Sequence, residues 1–253
     1  MPSLADKLKS LGVKVGTADL PPARPASRLD VDAVVPGEFR RTRQGDVFVA
    51  CQRFPLDYLH GRASIAIPPL SAMLTDWAAD PRLASIPTGS LAFLDTETSG
   101  LSGGTGTYAF MVGAGRFVEG GFELAQFFLR DPSEEPALLE GLADFLAPCS
   151  ALVTFNGKAF DAPILRTRYT LHSIPSPIAE FAHLDLLPLA RRLWRDRLPS
   201  RTLKFLDESV LSAPRTTEEV PGYEIPWLYF DYLRTRDASP LKGVFYHNAM
   251  DVV

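Results

Sequence analysis

Two carboxylates one residue apart, Asp95 and Glu97, sit in the stretch LAFLDTETSGL that runs from Leu91 to Leu101. The unbroken apolar run Leu91 to Leu94 leads straight into them, so they stand where a buried strand ends. In an extended segment residues i and i+2 point to the same side, which brings Asp95 and Glu97 together and turns Thr96 away. Convergent carboxylates at a strand end call for a cation, and an all-oxygen donor set suits Mg²⁺ or Mn²⁺. The glycines that follow, Gly100, Gly103, Gly104 and Gly106, do not make a nucleotide-binding phosphate loop, because no Gly-Lys-Ser/Thr follows and no helix opens behind them. They read as a turn between strands; the alternative is that backbone N–H groups here, with Thr105 or Thr107, face a substrate beside Asp95.

The elements around this pair follow from patterning. Tyr108 to Phe117 and Phe122 to Leu129 are apolar segments separated by the turn Glu119 to Gly121, an antiparallel hairpin continuing from the first strand. Asp131 to Glu135 opens a helix running to about Leu146, acidic in its first turn as the helix dipole prefers. Ala151 to Phe155 is a short buried strand, and helices follow. Three strands, a helix, a strand and then helices make an α/β fold. Before it, Asp46 to Phe54 alternates as a strand, with turns at Gln44-Gly45 and His60-Gly61, and Pro68 to Ala84 carries apolar residues at helical spacing. Residues 1–35 read as a flexible segment with a short helix at Leu4 to Leu11 and a PPARPAS linker, residues 36–88 as a small β-rich extension with a connecting helix, and residues 89–253 as the main domain.

DTETSGL resembles the first motif of the DEDD exonucleases, within the ribonuclease-H-like superfamily that includes the proofreading domains of DNA polymerases. The resemblance implies an α/β ribonuclease-H-like mixed sheet flanked by helices, here with the β-rich N-terminal extension, and two further acids downstream. FNGKAFDAPIL, Phe155 to Leu165, is similar to the second motif and offers Asp161, with Asn-x4-Asp spacing closest to the family B polymerase exonucleases. The alternative for Asp161 is an ordinary helix N-cap with Pro163 in the first turn. FYHNAMDVV, Phe245 to Val253, offers Asp251 with His247 four residues before it and Tyr246 five before. The histidine subclass places His five residues before its acid and the tyrosine subclass places Tyr four before, so this chain departs from both. At about 100° per residue His247 lies roughly 40° from Asp251 around a helix and Tyr246 roughly 140° away. His247 is therefore the expected base and Tyr246 the alternative.

With HLDLL (183–187), RRLW (191–194), RLPSRTLKFLDESVL (197–211) and VPGYEIPWLYFDYL (220–233), the chain resembles the YprB-like family of bacterial ribonuclease-H-like proteins over roughly residues 37–253. The resemblance implies a metal-dependent 3′–5′ exonuclease acting on single-stranded DNA or RNA. Two Mg²⁺ or Mn²⁺ ions would lie about 3.5–4 Å apart, with Asp95 bridging, Glu97 and Asp251 completing the first site and Asp161 serving the second through water. Rival readings are a nucleic-acid-binding or protein-interaction module that lost turnover, and a structure-specific endonuclease using the same acids. Family members often continue into a tetratricopeptide array, which implies further chain beyond Val253 and protein partners reached through it.

Substrate contacts are expected from Thr96 and from the basic run Arg191, Arg192, Arg195, Arg197, Arg201 and Lys204, which faces the single acid Asp196; a solvated helical face is the alternative. Lys158 either contacts a phosphate or is solvated. Trp194 and Trp227 read as core residues, with base stacking as the alternative. Asp185 reads as a helix cap and not as a metal ligand. A net charge of −4 argues against coating nucleic acid by electrostatics alone. Cys51 and Cys149 form no disulfide or CxxC pattern, the N-terminus lacks a signal-peptide core and no apolar run approaches bilayer length, so the expected location is the cytoplasm, with no membrane contact.

Overall fold

The alternation at residues 46–54 marks a strand, and the computed structural model, which describes residues 29–100 and 106–253, shows where that strand goes. After a short helix α1 (Val31–Val34), β1 (Glu38–Thr42) and β2 (Gly45–Pro55) form a hairpin, and β3 (Leu59–His60) and β4 (Ala63–Ser64) a small second one. Helix α2 (Ala72–Ala78) is shorter than its apolar spacing predicts: Ser71 caps its start, Ala79 ends it in the left-handed region (φ 54°), and Pro81 opens a separate 3-10 turn. The predicted helix at Leu4 to Leu11 and residues Leu101 to Thr105 of the glycine-rich turn lie outside the described residues.

Strands β5 (Leu91–Thr98), β6 (Ala109–Val118) and β7 (Gly121–Phe128) then form an antiparallel meander, followed by α3 (Glu135–Leu146), β8 (Ala151–Thr154), α4 (Asp161–Leu171), β9 (Ala182–Asp185), α5 (Leu186–Trp194), α6 (Leu203–Leu206), α7 (Ile225–Thr235) and α8 (Leu241–Val252). The seven-stranded sheet runs β1-β2-β7-β6-β5-β8-β9, with β8 and β9 parallel to β5. This is the mixed α/β sheet expected of a ribonuclease-H-like fold. The β-rich N-terminal stretch extends it literally: β2 pairs with β7 from Phe48–Phe128 to Pro55–Gly121, so β1 and β2 continue the main sheet instead of building a unit of their own. No helix among the described residues is long and apolar enough to cross a membrane.

Period-two alternation assigns each face. Leu94 and Leu152 belong to the core that includes Leu142 of α3 and Leu165 and Tyr169 of α4, while Leu91 and Val153 pack in a second core with Leu189 of α5 and residues of α2. On that second face α8 lies across β5, β6 and β7, its Ala249 and Val252 in one cluster with Phe122 and Leu124. Tyr169 is fully buried and its hydroxyl donates to the Leu139 carbonyl at 2.8 Å, fastening α4 to α3.

His183 on β9 is buried, its Nε2 sharing a hydrogen bond with Thr154 Oγ1 (2.8 Å) and its backbone N–H donating to Asp80 (3.1 Å). Burial first, and the charges of Lys158 and Arg166 against Asp185 and Asp80, lower its pKa to about 4. The unfolded chain, with a histidine pKa of about 6.5, therefore takes up this proton before the folded one. The contribution is complete above pH 6.5 and is lost as pH falls toward 4. An acid titration of unfolding free energy is expected to show that slope, and His183→Gln to flatten it.

Candidate active site

Asp95 and Glu97 project from β5 toward α8, on the side the i, i+2 rule gives them. Helix α8 can approach because β6 is small there: a Cβ on Gly113 would lie 2.3 Å from Asn248 Oδ1 and 2.9 Å from Val252 Cγ2. Asn248, fully buried, is held by Gln126 Nε2 donating to its Oδ1 at 3.0 Å, and its Nδ2 donates to Asp95 Oδ2 at 3.0 Å. This amide ties α8 to the first acid. It lies three residues before Asp251, about 60° away on a helix, so helical spacing would have found it.

Asp251 stands on the same helix with both oxygens engaged. Oδ1 accepts from Arg215 Nη2, and Oδ2 lies 3.4 Å from His247 Nε2. On its other side His247 Nδ1 sits 3.0 Å from Glu219 Oε1 and 3.1 Å from the Val220 carbonyl. Tyr246 faces elsewhere, its hydroxyl accepting the Thr216 N–H at 2.8 Å. Arg215, Glu219 and Asp207 are charges of the site that motif spacing does not disclose: Arg215 and Glu219 come from irregular chain and Asp207 from the π-helical turn after α6.

Asp161 arrives from the opposite face. It is the first residue of α4, one past the N-cap position, which Phe160 holds, so the N-cap alternative does not describe it. Instead its Oδ1 accepts from Thr96 Oγ1 at 2.5 Å. Thr96 points away from Asp95 and Glu97 as strand geometry requires, and there it meets the acid of α4. The loop leading to Asp161 is shaped by Asn156 in the left-handed region (φ 71°) and by Gly157, where a Cβ would lie 2.4 Å from Thr154 Oγ1. Asp185 caps α5 and also accepts the N–H groups of Asn156 and Lys158 at 2.8 and 3.1 Å, which fixes the loop.

The electrostatics are those of an acid-rich centre short of positive charge. Burial, then Asp251, Glu97 and Asp161, push the Asp95 carboxyl well above the ordinary range. Burial raises Glu97 to about 7 against the pull of His247, and raises Asp161 to about 6 against its bond from Thr96. Burial also opposes charge on Asp251, but His247 and Arg215 outweigh it and hold that carboxyl below its usual value. Burial likewise opposes charge on His247, and Asp251, Glu97 and Glu219 overcome it to raise the imidazole to about 9, so in this state it carries a proton at neutral pH.

Among the described residues no three carboxylate, imidazole or thiol groups stand close enough to share one metal ion. The four acids joined by the motifs are neighbours rather than a closed cage, since Asp161 is bonded to Thr96 and Asp251 to Arg215. Their chemistry still fits divalent cations. Glu97 Oε1 is enclosed and has no hydrogen-bond partner. Six carboxylates (Asp95, Glu97, Asp161, Asp207, Glu219, Asp251) face two cationic side chains, a surplus that hard cations neutralise.

The predicted substrate contacts separate. Arg191 and Arg201 line a cavity of about 440 Å³ with Phe155 and Asn156. Through Phe155 and Leu203 it adjoins a cleft of about 190 Å³ bounded by Phe93, Val153, Met250 and Asp251. Arg195 and Lys204 are exposed and line neither cavity. Lys158 Nζ donates to the Ala78 carbonyl at 3.1 Å, so neither the phosphate nor the solvated reading describes its resting contact. Trp194 is partly buried, whereas Trp227 is 75% exposed and does not belong to the core expected for it. The exposed Trp227 surface was not legible because its helix is apolar on more than one side.

Residues 92–253 match the family model of the RNase H superfamily, and the chain belongs to that superfamily. Within it the chain is YprB-like: it is 36% identical over 206 residues to the Bacillus subtilis (strain 168) protein named Uncharacterized protein YprB, an alignment covering 79% of this chain and 49% of that protein. The chain thus spans about half the length of this curated relative. Membership points to nuclease chemistry and nucleic-acid binding, and the superfamily typically uses divalent metal ions.

Proposed function

We propose that the protein is a metal-dependent 3′–5′ exonuclease acting on single-stranded DNA or RNA. The observation that carries this reading is the pair Asp95 and Glu97 beside Asp251, with Glu97 Oε1 enclosed and unpaired. Asp95 and Glu97, joined by Asp251 once Arg215 leaves it, would hold one Mg²⁺ or Mn²⁺, and Asp95 the other, with Asp161 reaching it through water. Bound cations of this kind supply an activated water and offset charge at the phosphate and the leaving oxygen. The chain's own contributions are positional. Asn248 fixes the Asp95 carboxylate, Thr96 holds Asp161, and the adjoining clefts offer an apolar wall for a terminal base with Arg191 and Arg201 beyond it for a phosphate. His247, protonated here, first orients Asp251; it acts as the base at Nε2 only when added positive charge lowers its pKa.

Single-strandedness draws support from an aromatic stripe. Tyr223, Trp227 and Phe230 are 70%, 75% and 43% exposed at i, i+4, i+7 spacing. The stripe starts beside the imidazole, since a Cβ on the preceding Gly222 would lie 3.8 Å from His247 Cε1. Unpaired bases stack on such faces. Trp227→Ala is expected to weaken single-strand binding by about 1–3 kcal/mol and to leave the melting temperature unchanged, as measured by fluorescence anisotropy and thermal unfolding.

The direct test incubates the protein with end-labelled single-stranded DNA and RNA and Mn²⁺ or Mg²⁺. Stepwise shortening from the 3′ end supports the reading, internal cuts point to an endonuclease, and intact substrate with both metals rejects it. A binding module without turnover is the second reading, favoured by the hold of Arg215 on Asp251. It predicts oligonucleotide binding with no thermal stabilisation by Mn²⁺.

A further inference from the structure

Arg215 leaves the irregular strap that joins Ser212, itself in the left-handed region (φ 57°), to α7. Its side chain is only 4% exposed, yet it meets three carboxylates: Asp251, Asp207 at 3.1 Å and Glu219 at 3.0 Å. A guanidinium at this depth requires an anionic partner, but one carboxylate balances its charge and three exceed it. Two atoms of the cluster are also idle, for Arg215 Nε and Glu219 Oε2 are enclosed without a hydrogen-bond partner. Folded proteins rarely leave such atoms unpaired. Glu219 takes Arg215 through one oxygen only, although guanidinium and carboxylate match in a two-bond fork.

We infer that Arg215 is the resident counter-cation of Asp251, and that it exchanges Asp251 for a two-bond fork on Glu219 when a divalent cation binds at Asp251. This rests on the metal-dependent reading above and adds to it a positioning residue with two seats. In the exchange Nη1 stays on Glu219 Oε1, and the Nη2 group released by Asp251 turns to Oε2, the idle oxygen. Asp207 remains beside the guanidinium, so neither seat leaves a buried charge unpaired. An arginine with a single carboxylate partner has no such second seat, because leaving it would strand both charges. His247, on the other oxygen of Asp251, keeps that carboxylate aimed while Oδ1 changes partner. The strap carrying Arg215, Glu219 and Val220 thereby links cation loading to the backbone that positions the His247 ring.

The test is a crystal structure of the wild-type chain grown with Mn²⁺, located by its anomalous scattering, together with calorimetric titration of Mn²⁺ into wild type and Arg215→Met. The expected structure has Mn²⁺ on Asp251 and Arg215 paired with both oxygens of Glu219. Arg215→Met is expected to bind Mn²⁺ about tenfold or more tightly, as removal of one charge-assisted competitor implies. Mn²⁺ bound at Asp95 and Glu97 with Arg215 still on Asp251 overturns the exchange and leaves the nuclease reading standing. Unchanged or weaker affinity in Arg215→Met does the same. No Mn²⁺ in either protein overturns both. Should Arg215→Met fail to fold, the wild-type crystal decides alone.

Discussion

Asp95→Asn is expected to abolish hydrolysis and the thermal response to Mn²⁺ while raising the melting temperature of the metal-free protein. The two losses and the gain share one cause. Asp95 is pushed well above the ordinary carboxylate range by burial and by Asp251, Glu97 and Asp161, so in the absence of a cation its charge works against folding. Asparagine keeps an acceptor for Asn248 Nδ2, which now bonds Asp95 Oδ2 at 3.0 Å, and removes the repulsion. The gain should be about 0.5–2 kcal/mol, or roughly 2–4 °C per kcal/mol in a chain of this size. Loss of the metal ligand proposed at Asp95 should cost at least ~10³-fold in rate, several kcal/mol of transition-state stabilisation. Denaturation in chelator, Mn²⁺-dependent thermal shifts and product analysis read all three. Retained cleavage with retained Mn²⁺ stabilisation would remove Asp95 from the site, and a lower melting temperature would show that its hydrogen bonds outweigh its repulsion.

Gly113→Val should be the most damaging single change that touches no acid. Gly113 sits on β6 under α8, where even a Cβ would lie 2.3 Å from Asn248 Oδ1 and 2.9 Å from Val252 Cγ2. Valine adds two methyl groups to that clash, and neither neighbour is free to yield: Asn248 is held by Gln126 and Asp95, and Val252 packs in the cluster with Phe122 and Leu124. Overpacking of this kind costs about 1–3 kcal/mol. Relief by lifting α8 would carry Asp251 and His247 away from Asp95. The expected result is therefore a folded but destabilised protein, by urea denaturation, whose Mn²⁺ stabilisation is lost along with any cleavage. Full activity with unchanged stability would show that α8 does not depend on the glycine floor.

Much of this molecule was legible one residue at a time. Strand and helix signals placed the meander, α3 and β8, because buried strands and amphipathic helices write their periods into the chain, while α8 was expected from the resemblance alone. Strand alternation put Asp95 and Glu97 on one side and Thr96 on the other, and helix geometry turned His247 toward Asp251 and Tyr246 away from it. Asp185 was legible as a cap from its place before an apolar run. Local patterning was silent wherever a contact joined distant segments. It could not say that β2 would pair with β7, since its alternation fits a separate hairpin equally well. It could not say that Trp227 would stay in solvent, since a helix records its apolar residues but not which of them find a neighbour.

The sequence by itself determined that Asp95 and Glu97 share one side of their strand and that His247 turns toward Asp251 and Tyr246 away from it, because those follow from bond geometry within one element, whereas the ribonuclease-H-like fold and the candidates Asp161 and Asp251 came through resemblance to the family's motifs. Only the tertiary structure decided what those acids touch. It set Asp161 against Thr96 across the sheet, Asn248 against Asp95 through a glycine gap, and Arg215 against Asp251 from a strap with no regular pattern. The reason is physical. The orientation of a side chain is local, whereas the energy of a buried charge depends on every charge packed around it.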